Sequence, residues 1–291
     1  MVSAQSQQLP DWIKNIFVWY GQGQVSDNEI LNAIQWLIDN NIIKIKQAPA
    51  GVPSKISDNG DFKMIARESS TNYDDLAQVL IDTEPTLESL LNRLYRLPND
   101  VNIVFQDCGK VNASYNPNTR ELVFCYELIE YLAEFWRERT DTKADWSLRL
   151  GSSIYFILYH EVGHAVVDVN DVPITGMEED AVDQFSSLYF LSYAPDLADQ
   201  MLATMLVFFM WHGGFKTVSQ DFKFWDEHSF DMQRYYNIAC WMYGSNPSQY
   251  SWLVTGDTLP KERADRCPSE FKQIQKSWNE ILRPYVNFPF S

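Results

Sequence analysis

The chain has 291 residues, 45% of them hydrophobic and 14% aromatic, with a formal charge of −16 from 39 acidic and 23 basic side chains. That apolar content excludes a disordered chain, and a field of that sign repels phosphate backbones and anionic lipid, which argues against nucleic acid as a partner. No apolar run approaches the ~18–20 residues of a membrane-spanning helix, so no transmembrane segment is expected.

Residues 1–10 are polar and lack the charged-then-apolar order of a signal peptide. Either the protein stays in the cytoplasm or a signal has been removed. Residues 10–46 read as helical. Trp12, Ile13, Ile16 and Phe17 stand at helical spacing, and Gly21-Gln22-Gly23 breaks the run. Ser26 and Glu29 then form a capping-box pattern, after which Ile30, Ile34, Leu37 and Ile38 continue an amphipathic helix. Residues 1–50 are taken as an N-terminal helical module, 51–60 as a linker rich in Pro, Gly and Ser, and 61–291 as the main domain. The segment from Leu9 to about Ile45 resembles a short helical module of secreted and cell-surface archaeal proteins. That resemblance implies an extracellular or cell-surface location.

In the main domain a helix is expected over Thr86–Arg96, on Leu87, Leu90, Leu91 and Leu94. Strands are expected at Val101–Phe105, Asn112–Tyr115 and Glu121–Tyr126, the last two joined at Asn116-Pro117-Asn118-Thr119. Helices follow over 127–140, 146–169, 178–193, 196–211, 229–243 and 268–282. The order predicts an α+β fold: a small antiparallel sheet or hairpin, then a mostly helical domain. Of the four cysteines, Cys108, Cys125, Cys240 and Cys267, none sits in a CxxC pair, which argues against a cysteine zinc site. A hairpin centred on the Asn-Pro turn brings Cys108 nearly opposite Cys125. A disulfide there would leave Cys240 and Cys267 as a second; four buried thiols fit the spacing equally.

His160-Glu161-Val162-Gly163-His164 is an HExxH motif. On a helix the two imidazoles share a face, one turn apart, and can hold one tetrahedral Zn²⁺. Glu161 is placed to take a proton from a polarised water. Ile154, Phe156, Ile157, Leu158, Val162, Ala165, Val166 and Val167 surround the motif, and a helix apolar all round is buried. Burying two histidines and a carboxylate is costly unless something pairs with them, and a metal supplies that pairing.

A third ligand is needed. The metzincin pattern would place Gly and His where Val167 and Asn170 stand, so that class is excluded. The next acidic cluster is Glu178-Glu179-Asp180, then Asp183. Glu179 and Asp183 share a helix face, which suits Glu179 as ligand and Asp183 as acceptor of a ligand histidine's free N–H. Glu178, Asp168 and Asp183 are the alternative third ligands. Acidic residues also favour helix N-termini through the macrodipole. His228, in Asp226-Glu227-His228 with Arg234, Tyr235 and Tyr236 following, is the candidate donor to a tetrahedral oxyanion, or else a capping or surface histidine. His212, before Gly213-Gly214, reads as helix C-terminal. The strand at Asn112–Tyr115 or that at Glu121–Tyr126 could take a substrate backbone by strand addition.

HExxH followed by ExxxD resembles the glutamate-type zinc peptidases, the gluzincins. More narrowly, CGKVNASYNPNTRELVFCYEL, YHEVGHAVVDVNDVPITGMEEDAVDQF and DEHSFDMQRYYNIACWMYG look like one metallopeptidase family, over roughly Leu97 to Cys267. The resemblance implies a zincin-like domain, Zn²⁺ on His160, His164 and an acidic residue, Glu161 as base, and a peptide or protein substrate. The expected function is thus a zinc-dependent peptidase. The alternatives are a non-catalytic zinc-binding surface or sensor protein on the same fold, and a zinc amidohydrolase acting on a non-peptide amide.

Overall fold

The computed structural model describes residues 58–69, 78, 85–213 and 230–290, with scattered positions between 12 and 37. The chain divides into two compact units, Met1–Pro53 and Ser54–Ser291. In the first, the capping box forms. The Ser26 amide and hydroxyl donate to Glu29 Oε2 at 2.8 Å, and the Glu29 amide donates to Ser26 Oγ at 3.4 Å. Trp12 packs edge-on against Trp36, and Ala33 and Leu37 are buried beside Ile16.

The second unit is α+β. Its elements are β1 (Phe62–Ala66), α1 (Pro85–Leu94), β2 (Val101–Gln106), β3 (Ala113–Asn116), β4 (Glu121–Cys125), α2 (Tyr126–Arg137), α3 (Lys143–Val169), α4 (Glu178–Tyr193), α5 (Pro195–Gly213), α6 (Asp231–Ser245), α7 (Trp252–Thr255), α8 (Lys261–Ala264) and α9 (Cys267–Leu282). The sheet runs β1-β2-β4-β3. Its β3–β4 hairpin is antiparallel, as expected, and its turn is set by Asn116 Oδ1, which accepts the Asn118 amide at 3.0 Å. The sheet as a whole is not antiparallel, however: β1–β2 and β2–β4 pair in parallel. After β2 the chain crosses to the edge as β3 and returns as β4 between them. Central parallel strands are covered on both faces and read as apolar runs, and Val101, Ile103, Val104, Phe105, Leu122 and Phe124 are fully buried. β1 and the short helices α7 and α8 were not anticipated.

Both expected disulfides form, Cys108–Cys125 and Cys240–Cys267, with Cα atoms 5.5 and 5.1 Å apart. The first forms for a different reason than the hairpin suggests. Hairpin register sets Cys125 against Asn112, whose carbonyl accepts the Cys125 amide at 3.1 Å. Cys108 reaches Cys125 because β2 lies parallel to β4, with Gln106 level with Cys125. Residues 58–60, expected within the linker, are bound into this unit: the Asn59 and Gly60 amides donate to the Leu97 carbonyl, and Asp58 Oδ1 accepts the Leu97 amide. A side chain at Gly60 would stand 2.0 Å from the Asn99 carbonyl carbon, so only glycine fits. Residues 51–57 lie outside the described residues.

The longest of these helices is α3, whose N-terminus is capped by Thr142 Oγ1 accepting the Asp145 amide at 3.1 Å. Its buried residues run from Leu150 to Val167 on every side, and it packs against α2, α4, α5, β3 and β4. No helix among the described residues is long and apolar enough to cross a membrane.

Candidate metal centre

HExxH lies within α3, and the acidic cluster opens α4. Residues four apart on each helix share a face, so His160 and His164 turn their imidazoles, one helical turn apart, toward the acidic face of α4. The two rings lie 5.1 Å apart between centroids, at 77° to each other. Glu179 comes between them: Oε2 is 3.0 Å from His160 Nε2, and Oε1 is 3.3 Å from His164 Nε2. Ligand atoms of His160, His164 and Glu179 all lie within 4.8 Å of one another, a set that could hold a metal ion. Two imidazole nitrogens and one carboxylate fit the three-ligand pattern of catalytic zinc.

The outer nitrogens are also held. His160 Nδ1 donates to Asp183 Oδ1 at 2.9 Å, and His164 Nδ1 donates to Glu178 Oε1 at 2.7 Å. Such carboxylates set ring orientation and tautomer. Glu178 and Asp183, both weighed as third ligands, therefore sit behind the imidazoles and not between them. Asp168 is outside the cluster; its Oδ2 accepts the Tyr115 hydroxyl at 2.8 Å.

Arg234 was not singled out for this role. Its Nε and Nη2 donate to Asp183 Oδ2 and Oδ1 at 2.7 and 2.8 Å, and its guanidinium lies 4.5 Å from the Phe209 ring centroid. The available signal was a cation one turn into α6, just ahead of the buried Tyr235, Ile238 and Ala239, where only an anionic partner offsets its desolvation. His228 lies outside the described residues, and α5 reaches Gly213 beyond His212.

Electrostatics follow from these contacts. Burial disfavours charge on His160, but its bonds to Asp183 and Glu179 and the charges of Asp183 and Glu161 outweigh it and push its pKa up to about 9. His164 moves the same way: burial opposes, and its bond to Glu179 prevails. Burial works against the Asp183 carboxylate too, yet Arg234 and His160 hold it well below the usual range. Glu161 is 7% exposed, and burial raises its pKa. Against that, the neighbouring charges of His160 and His164 favour its charged form, with a smaller contribution from the Tyr115 backbone of β3.

Gly163, inside the motif, sets the spacing of the two helices. A Cβ there would stand 3.0 Å from Val182 Cβ and Cγ1 and 3.1 Å from Phe185 Cδ1, both on α4. A second cluster, Cys108, Cys125 and Glu127, has both sulfurs in a disulfide. There Glu127 instead accepts the backbone amides of Cys108 and Gly109.

The chain belongs to the family described as "Putative metallopeptidase", whose model matches residues 67–282. That span holds every residue of the His–Glu–Asp–Arg constellation, and the description points to a metal-dependent peptidase. No curated protein and no solved structure matches the chain.

Proposed function

We propose that the chain is a zinc-dependent peptidase, with His160, His164 and Glu179 as the residues that hold the ion and Glu161 as general base. One observation carries this reading. The Nε2 atoms of His160 and His164 on α3 and the Glu179 carboxylate on α4 converge within 4.8 Å, beside the buried Glu161 carboxylate, which no Lys or Arg among the described residues pairs.

When bound, zinc supplies Lewis acidity that polarises a water and the scissile carbonyl. Asp183 and Glu178 hold the two Nδ1–H groups, which leaves each Nε2 lone pair free for the ion. Arg234 keeps Asp183 charged for that task. Glu161 accepts the proton of the attacking water on its carboxylate and then passes it to the leaving amine nitrogen. Burial that favours the protonated form of Glu161 helps it take up the proton of the attacking water. His228 remains the candidate oxyanion donor. β3 carries the outer edge of the sheet beside α3 and is the strand placed to take a substrate backbone. The two disulfides support an oxidising compartment, hence a secreted or cell-surface enzyme.

The test is Glu161→Gln beside the native chain, with metal content and peptide hydrolysis measured on both. Metal content should be equal and turnover should fall by about 10²–10⁴-fold. Retained turnover would remove Glu161 from the mechanism. A native chain that binds zinc but cuts no peptide would favour the non-catalytic reading, or the amidohydrolase if a non-peptide amide is cleaved.

A further inference from the structure

The sequence holds one Asn-x-Ser/Thr acceptor pattern, Asn112-Ala113-Ser114, since proline bars Asn246-Pro247-Ser248. Asn112 closes the connection from β2 to β3, in which Gly109 takes a positive φ of 69° and Lys110 and Val111 are exposed. Its carbonyl accepts the Cys125 amide, so it extends the β3–β4 ladder by one step. Side chains alternate between the two faces of a strand. Ala113 and Tyr115 face α3: Ala113 lines a cavity with His160 and Glu161, and the Tyr115 hydroxyl reaches Asp168. Asn112 and Ser114 therefore take the other face, where Ser114 and Asn116 are exposed. Asn112 itself is half-buried, and its carboxamide has no hydrogen-bond partner among the described residues.

We propose that Asn112 is an N-glycosylation site, filled as the chain passes through the oxidising compartment that its two disulfides call for. The inference rests on that compartment and not on the peptidase reading. Asn112 supplies the acceptor nitrogen and Ser114 the hydroxyl two residues on. The donor is a lipid-pyrophosphate-linked oligosaccharide. The carboxamide nitrogen bonds to the sugar's C1, the C1–O bond breaks, and the lipid pyrophosphate leaves with that electron pair. The nitrogen's lost proton passes to a base of the transferase. The glycan then stands on the face turned away from α3, clear of His160, His164 and Glu179. It shields Val111, an apolar neighbour that is 52% exposed.

The full chain, with a secretion signal placed ahead of Met1, is produced in a glycosylating eukaryotic host. Peptide-N-glycosidase in heavy-oxygen water converts each glycan-bearing asparagine to a labelled aspartate, and peptide mapping reads labels and disulfides together, on secreted and retained chain alike. The native chain should carry the label at Asn112. Asn112→Gln and Ser114→Ala should each lose it, and Ser114→Thr should keep it. The native peptide decides the matter even where a variant fails to fold. An unlabelled Asn112 with both disulfides formed would overturn the site and leave the metal centre untouched. Free thiols at Cys108 or Cys125 would overturn the compartment on which the site rests, and the site with it. Zinc affinity should match before and after glycosidase treatment; a change would overturn the placement of the glycan on the far face.

Discussion

Arg234→Met keeps most of the side-chain volume and removes the charge that Asp183 faces. The Asp183 and Arg234 side chains are 3% and 16% exposed, and Asp183 accepts two N–H groups from Arg234 and one from His160. Removing one partner of a buried ion pair costs about 3–5 kcal/mol, because the remaining charge stays buried. At ~2–4 °C per kcal/mol for a domain of this size, the Tm of the metal-free chain should fall by roughly 6–20 °C. The pH dependence has a definite sign. Asp183 is depressed in the folded state despite its burial, so it contributes stability above its unfolded pKa of about 3.9 that is lost as pH falls. The variant should lose that contribution and show a shallower acid limb. Adding Asp183→Leu removes both charges and should return much of the stability. The double variant should nonetheless bind zinc about 10–100-fold more weakly than native, because His160 has lost its Nδ1–H acceptor. Thermal unfolding by circular dichroism reads the first effect, and competition with a chromophoric chelator reads the second. A single variant within about 2 °C of native would refute the buried-pair argument.

Gly163→Ala should destabilise even though alanine favours helix by ~1 kcal/mol. Its Cβ meets Val182 Cβ at 3.0 Å, an atom fixed to the backbone of α4, and overpacking of that kind costs about 1–3 kcal/mol. Zinc affinity should fall with stability, since Glu179 rides on the same helix; a higher Tm with native affinity would show that the helices separate freely. Zinc binding should also release protons and strengthen as pH rises toward about 9, because both histidines hold their protons more tightly than usual without the ion and His160 holds its own up to about 9. Calorimetry in two buffers of different ionisation heat measures that release, and none at pH 7 would contradict the hydrogen-bonded imidazolium pair.

Local signals accounted for much of this protein. The 3.6-residue apolar period marks α2 to α6 and α9 closely, because each must bury one face or, for α3, all of them. HExxH carries its own geometry, since four residues make about one helical turn whatever surrounds it. Ser26–Glu29 and Asn116–Asn118 are equally local, and each formed as residue type predicts. Other features depend on partners distant in sequence. Parallel β2–β4 pairing joins strands separated by β3, and it, not the hairpin, aligns Cys108 with Cys125. The choice of Glu179 over Glu178 between the imidazoles depends on how α4 lies across α3, and contact at Gly163 sets that approach. Arg234 meets Asp183 from 51 residues away. Helical period and motif spacing are written in neighbouring residues, whereas which carboxylate meets which imidazole is settled only when separate helices close on a common core.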